Sequence, residues 1–150
     1  MELAGKRVAV LAEDMYQELE LWYPLLRLRE AGATVIVVGM PGVKEYQSKH
    51  GYPVPVDAAA DAVSAHDFDA VIIPGGYAPD RMRRHKPMLD LVRRVFEHGG
   101  VVAAICHAAW VPISPASCGA GVPPVCRPSR TTWSTPGLPT WTKRSCRTAT

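Results

Sequence analysis

Short runs of consecutive apolar residues alternate with stretches of helical period over the first 111 residues. Residues 7–12 (RVAVLA) form an apolar run of strand length, and residues 34–38 (TVIVV) form a second, β-branched one. Residues 69–73 (DAVII) and 101–105 (VVAAI) supply two more. Between the first two, residues 16–31 show helical spacing, with Leu19, Trp22, Leu25, Leu26 and Leu28 predicted as the apolar face and Gly32 as the stop. Residues 87–98 repeat the pattern: Pro87 opens the helix, and Met88, Leu89, Leu91, Val92, Val95 and Phe96 supply its apolar positions. Residues 51–57 carry prolines at 53 and 55, which predicts an edge strand and excludes a central one.

Strands that are apolar throughout, separated by amphipathic helices, are buried on both faces. The pattern predicts an α/β fold, a flavodoxin-like, doubly wound and mostly parallel sheet with helices on both sides. Ligands bind such sheets beyond the carboxyl ends of the strands. Three segments are expected there: residues 13–20 after the first strand, Pro74-Gly75-Gly76 after the third, and Cys106-His107 after the last.

The segment Ala104-Ile-Cys106-His107-Ala108 has the small flanks that a nucleophile on a tight strand-to-helix turn requires. A following helix would aim its amides at the sulfur and favour thiolate, and the His107 backbone N–H would serve an oxyanion. The opposing reading is a buried, inert cysteine. Gly75 and Gly76 permit close approach of an amide to substrate, or form a plain turn. Glu20 can hydrogen-bond the sulfur or move a proton, whereas Glu13, Asp14 and Glu18 read as solvated or helix-start charges, although the residues alone do not separate Glu20 from Glu18 for that role.

A length of 150 residues suits one core. No apolar stretch reaches the ~18 residues that cross a bilayer. Residues 1–7 show no signal-peptide pattern, so the cytoplasm is the expected location. The net charge of +3 hides a split: residues 1–111 hold 12 Lys and Arg against all 14 acids, while residues 112–150 hold five cations and no acid. Those five are scattered, which argues against nucleic-acid binding. Cys118, Cys126 and Cys146 match no zinc spacing and suggest no oxidising compartment, so no metal and no cofactor are expected.

Over residues 6–111 the chain resembles the PfpI-type (ThiJ-like) family of intracellular cysteine peptidases and protein deglycases. The family also includes a parkinsonism-associated redox protein and belongs to the class I glutamine amidotransferase-like superfamily. The resemblance rests on Glu18-Leu-Glu20-Leu-Trp-Tyr-Pro24, Lys49-His-Gly-Tyr52, Pro74-Gly-Gly-Tyr-Ala-Pro-Asp80 and Ala104-Ile-Cys-His107, in that order. It implies Cys106 as nucleophile, Glu20 as the carboxyl beside it, and Gly76 with the amide after Cys106 as the oxyanion site. It also implies Asp80, from a neighbouring subunit, as the acid that orients His107, which requires a homo-oligomer. Small carbonyl compounds, glycated proteins or peptides are the implied substrates. The alternatives are a redox sensor or chaperone-like protein using Cys106, and a non-functional product.

The last possibility comes from residues 112–150, which hold 7 Pro, 12 Ser or Thr and no acid, with neither structural period. Such a composition buries too little to offset chain entropy. It reads as a disordered extension or, preferably, as translation out of frame after Ser114. Written in GC-rich codons and read two nucleotides later, residues 130–137 yield Asp-Asp-Leu-Val-Asn-Ala-Gly, which is similar to the family at this point. The domain would then end near residue 111. The helix after Cys106 would be cut to about two turns, and the last strand would be left uncovered on one flank.

Overall fold

The computed structural model describes residues 1–114; the segment read above as out of frame lies, from residue 115 onward, outside the described residues. Its elements are β1 (Arg7–Leu11), α1 (Glu18–Glu30), β2 (Thr34–Gly39), β3 (Glu45–Gln47), β4 (Pro53–Pro55), β5 (Ala58–Ala59), β6 (Ala70–Ile73), α2 (Ala78–Met82), α3 (Lys86–Glu97) and β7 (Val101–Ala104). A 3-10 turn follows over Cys106–Trp110.

Among the described residues, five strands form one parallel sheet in the order β5-β2-β1-β6-β7. The chain leaves β1 toward β2 on one side and later leaves β6 toward β7 on the other. Right-handed crossovers therefore place α1 and α3 on opposite faces, and the direction of winding reverses between β1 and β6. The sheet is thus the doubly wound α/β arrangement that the sequence pattern predicts. β1 and β2 are buried along nearly their whole length, as strands covered on both faces must be. Among the described residues β7 is the sheet's edge, and it is only partly buried. No helix among the described residues is long and apolar enough to cross a membrane.

Three expectations need correction. Residues 53–55 do not edge this sheet; β4 pairs antiparallel with β3 in a separate ribbon. Lys44 bonds Val56 and Ser48 bonds Tyr52 across that ribbon, so Pro53 and Pro55 occupy alternate positions at which no N–H is required. The short β5 edges the main sheet instead. In α1 the core receives Leu21 and Leu25, with Trp22 and Leu28 partly buried against it. Leu19, Tyr23 and Leu26 are 72%, 69% and 57% exposed. They repeat at i, i+4 and i+7, so α1 carries a second apolar stripe that a single-face reading merged with the first. Phe96 of α3 is likewise exposed.

Candidate active site

β7 ends at Ala104, and the Ile105 N–H still donates to the Ile73 carbonyl at 3.1 Å. The chain then turns through Cys106, whose φ of +58° lies in the left-handed region that side-chain-bearing residues rarely occupy. Holding a non-glycine residue there costs about 1–3 kcal/mol and persists where the surroundings enforce it. The enforcement comes from β6 on one side and from Ala108, fully buried where the 3-10 turn packs on α2, on the other. Cys106 itself is exposed. The His107 ring turns back toward it, with Nδ1 3.5 Å from Sγ.

The element following Cys106 is a five-residue 3-10 turn, not the α-helix start expected from the sequence. Pro112 contributes to this: it has no N–H for the Ala108 carbonyl, and its ring crowds that carbonyl in an α-helix. Aligned helix amides therefore do not account for any activation of the sulfur. The neighbouring imidazole is the group placed to do so.

Gly75 joins Cys106 to Glu20. A side chain built on Gly75 would meet Glu20 Oε2 at 2.4 Å, Cys106 Cβ at 2.8 Å and the Ile105 carbonyl at 2.9 Å, so these groups fill the space that glycine leaves. The Gly75 N–H donates to Glu20 Oε2 at 2.8 Å. Glu20 is set in the first turn of α1 by the Gln17 side chain, which accepts the Glu20 N–H at 3.0 Å. Among the described residues, the carboxyl of Glu20 bonds the Gly75 amide and makes no hydrogen bond to Sγ.

Gly76 has a φ of +83°, and a Cβ there would lie 2.6 Å from the Met15 carbonyl, so only glycine fits. Its flanks are tied to the loop after β1: Gln17 N–H donates to Gly75 O at 3.2 Å and Tyr77 N–H to Met15 O at 3.0 Å. The N–H groups of Gly76 and His107 donate to no group among the described residues. Both remain available to an oxyanion beside the sulfur.

Asp80, on α2, is exposed and paired with Arg84 at 2.9 Å within the same chain. The structure does not bring it to His107. Among the described residues no three His, Cys, Asp or Glu side chains gather as a metal site.

Several groups around the site escaped the sequence reading. Glu18 does open α1, but its Oε1 accepts the Ser48 hydroxyl, the His50 N–H at 3.2 Å and His50 Nδ1 at 2.9 Å. Partial burial pushes this carboxyl up, yet the Ser48, backbone and His50 hydrogen bonds outweigh it and hold the pKa at about 2. Glu13, expected to be solvated, is 6% exposed and paired with His85 Nε2 at 2.9 Å. Tyr16 lies between Ser48 and Gly76 by bridge pairing, and its hydroxyl donates to the Tyr52 carbonyl at 2.6 Å. Burial raises the pKa of that phenol. Ser48 adjoins, and His50 and Tyr52 belong to, the Lys49–Tyr52 motif quoted above, so only there did the sequence carry a signal.

An exposed cysteine on a left-handed strand-to-turn junction therefore lies beside a glycine pair at the switch point of a doubly wound α/β sheet. The chain belongs to the DJ-1/PfpI family, whose model matches residues 6–118. It is 40% identical over 109 residues to a deglycase of Pyrococcus abyssi, covering 72% of this chain and 64% of the relative. It is 38% identical over 109 residues to the deglycase PfpI of Pyrococcus furiosus, with the same coverage. Among solved structures, a two-domain protein of Anabaena variabilis containing a DJ-1/ThiJ/PfpI-like domain matches with a TM-score of 0.70 and 38% identity, over 73% of this chain and 32% of that one. The chain thus spans less than two thirds, 64%, of the length of these curated relatives.

Proposed function

We propose that the chain acts as a cysteine-dependent deglycase on methylglyoxal-type adducts of amines and thiols, with peptide hydrolysis as the alternative substrate class. The observation that carries this reading is the exposed Cys106 Sγ at 3.5 Å from His107 Nδ1, beside the Glu20–Gly75 contact. The relatives' names, deglycase, support reversal of glycation as the reaction class.

In this reading His107 Nδ1 takes the thiol proton and the sulfur adds to the adduct's carbinol carbon, displacing the amine or thiol, which leaves protonated. Glu20 moves a proton from that carbon to the adjacent carbonyl carbon, and the carbinol hydroxyl proton passes to the former carbonyl oxygen, while the N–H groups of Gly76 and His107 hold the developing oxyanion. Water then cleaves the resulting thioester to lactate and free Cys106. The net reaction consumes one water and needs no oxidant or metal. Cys106→Ser should abolish lactate release from a methylglyoxal adduct; retained release would refute the assignment.

The exposed stripe Leu19, Tyr23 and Leu26 supports a homo-oligomer in which Asp80 of another subunit reaches His107. Sedimentation of the full chain tests this, and a strictly monomeric species would remove Asp80 from the site. The exposure of Cys106 also favours the redox-sensor reading. There, mild peroxide modifies Cys106 selectively, and equal modification of all four cysteines argues against it. The out-of-frame reading of residues 112–150 stands as a further proposal, with a non-functional product as its consequence if the missing elements are essential. Resequencing the coding DNA around Ser114 decides it.

A further inference from the structure

His107 is exposed, and its ring needs fixing if Nδ1 is to stay at the sulfur. Among the described residues the imidazole makes one hydrogen-bond contact, Nδ1 to Cys106 Sγ at 3.5 Å, and forms no ion pair. An exposed imidazole otherwise turns among roughly three χ1 wells and two χ2 orientations, few of which keep Nδ1 at the sulfur.

The ring packed against His107 is that of Trp110, with centroids 6.0 Å apart and planes at 64°. This contact follows from the type of turn. Cys106–Trp110 is a 3-10 turn, in which the Ala108 N–H donates to Ile105 O and the Val111 N–H to Ala108 O, both at 3.0 Å. Three residues per turn eclipse the side chains at i and i+3 and so bring Trp110 to His107; an α-helix would offset them by about 60°. Pro112, which opposes the α-helix, therefore favours the ring pair.

Trp110 is itself anchored from two sides. Arg83, which caps the end of α2, holds its guanidinium carbon 5.5 Å from the indole centroid. The Ser114 hydroxyl donates to the Trp110 carbonyl at 2.7 Å. The indole is 46% exposed and lies outside the hydrophobic core, so its contact serves His107 more than the packing of the fold.

We infer that Trp110 is a positioning residue that holds the His107 imidazole with Nδ1 at Cys106 Sγ, the role that an orienting third group plays in a nucleophile–base pair. It acts within one chain, whereas Asp80 would have to come from another. This deepens the deglycase reading and rests on it only for the reaction; the orientation of the imidazole at the thiol stands without it.

Alkylation of Cys106 by iodoacetamide in the full-length protein is the test. The thiolate displaces iodide and forms one C–S bond, and the reagent is neutral, so the rate near neutral pH follows the thiolate that His107 maintains. Mass spectrometry of the Cys106 peptide gives that rate, with Cys118, Cys126 and Cys146 as internal references. Trp110→Leu should slow Cys106 by about three- to sixfold, the number of ring orientations released. Trp110→Phe, which restores a ring, should stay within about twofold of wild type. In a His107→Gln background the same Trp110→Leu change should shift the rate by less than about twofold, because no imidazole is left to orient. An unchanged rate in Trp110→Leu, or an equal fall with and without the imidazole, overturns the proposal. The wild-type chain decides the matter without any variant having to fold: nuclear Overhauser contacts between the His107 and Trp110 ring protons are expected, and their absence also overturns it. Failure of the deglycase reading looks different, with lactate release surviving Cys106→Ser while alkylation still depends on Trp110.

Discussion

Glu20 Oε2 accepts the Gly75 amide at 2.8 Å, and the same glycine leaves the space in which Glu20 and Cys106 approach one another. One residue therefore fixes both the carboxyl and the backbone beneath Cys106. A methyl group at position 75 would collide with Glu20 Oε2, which can swing away. It would also collide with Cys106 Cβ and the Ile105 carbonyl, which are backbone-fixed. Gly75→Ala should accordingly cost about 2 kcal/mol, within the range for overpacking a filled site. The check is the midpoint of urea unfolding. An unchanged midpoint would mean that the strand ends are looser than the contact distances state.

A different substitution at the same contact separates positioning from chemistry. Glu20→Gln keeps an oxygen for the Gly75 amide and nearly the same volume, so stability should change by less than about 1 kcal/mol. The amide cannot shuttle a proton at carbon. If Glu20 is the acid–base group, turnover of methylglyoxal adducts should fall by about 100-fold or more. Steady-state lactate release from Glu20→Gln and wild type, at equal folded concentration, measures this. Equal rates would leave Glu20 a purely structural ligand of Gly75.

The sheet was legible because its strands are apolar throughout and its helices amphipathic, so period alone located β1, β2, β6, β7, α1 and α3 within a residue or two. Glu20, Gly75 and Cys106 could be proposed to converge because a doubly wound topology brings the ends of its strands together. What stayed hidden depends on long-range partners. Glu13 reads as solvated until the α2–α3 junction sets His85 against it. Leu19 and Leu26 read as core because hydrophobicity does not reveal which of two apolar stripes meets the sheet. The 3-10 turn after Cys106 was half visible in Pro112, although the small flanks argued for a longer helix.

Glu18 makes stability depend on acid in a defined window. Its carboxyl, ordinarily near 4.5, is held at about 2 in the folded chain by Ser48, its own backbone amide and His50, acting against its partial burial. Between those values the unfolded chain binds a proton that the folded chain refuses, so falling pH favours unfolding. The contribution is complete above about pH 4.5 and lost as pH falls through 2. Glu18→Gln keeps an acceptor for the three donors but has no charge to lose. The wild-type advantage over Glu18→Gln should be about 1 kcal/mol near neutrality, reduced by the solvent that reaches His50. It should close as pH approaches 2 in a series of urea titrations. A gap that is constant with pH would show that the ionised carboxyl is not what the Ser48–Tyr52 turn depends on.

The Glu13–His85 contact carries the last prediction, because it ties the loop after β1 to the α2–α3 junction. Glu13 is nearly enclosed, with Oε1 accepting the Asp14 N–H at 2.9 Å and Oε2 meeting His85 Nε2 at 2.9 Å. Removing the imidazole leaves half of a buried carboxylate unanswered, which costs more than the lost bond itself. His85→Ala should therefore destabilise by about 2–3 kcal/mol, somewhat below a fully buried pair because the imidazole is partly exposed. Glu13→Gln should cost less than about 1 kcal/mol, since a neutral amide still accepts the Asp14 N–H. In the double variant no charge is stranded, so its cost should fall short of the sum by about 1–2 kcal/mol. Urea unfolding of the four proteins gives this coupling directly. Strict additivity would mean that water already answers Glu13, and that the α2–α3 junction is held by Met82 and Met88 packing alone.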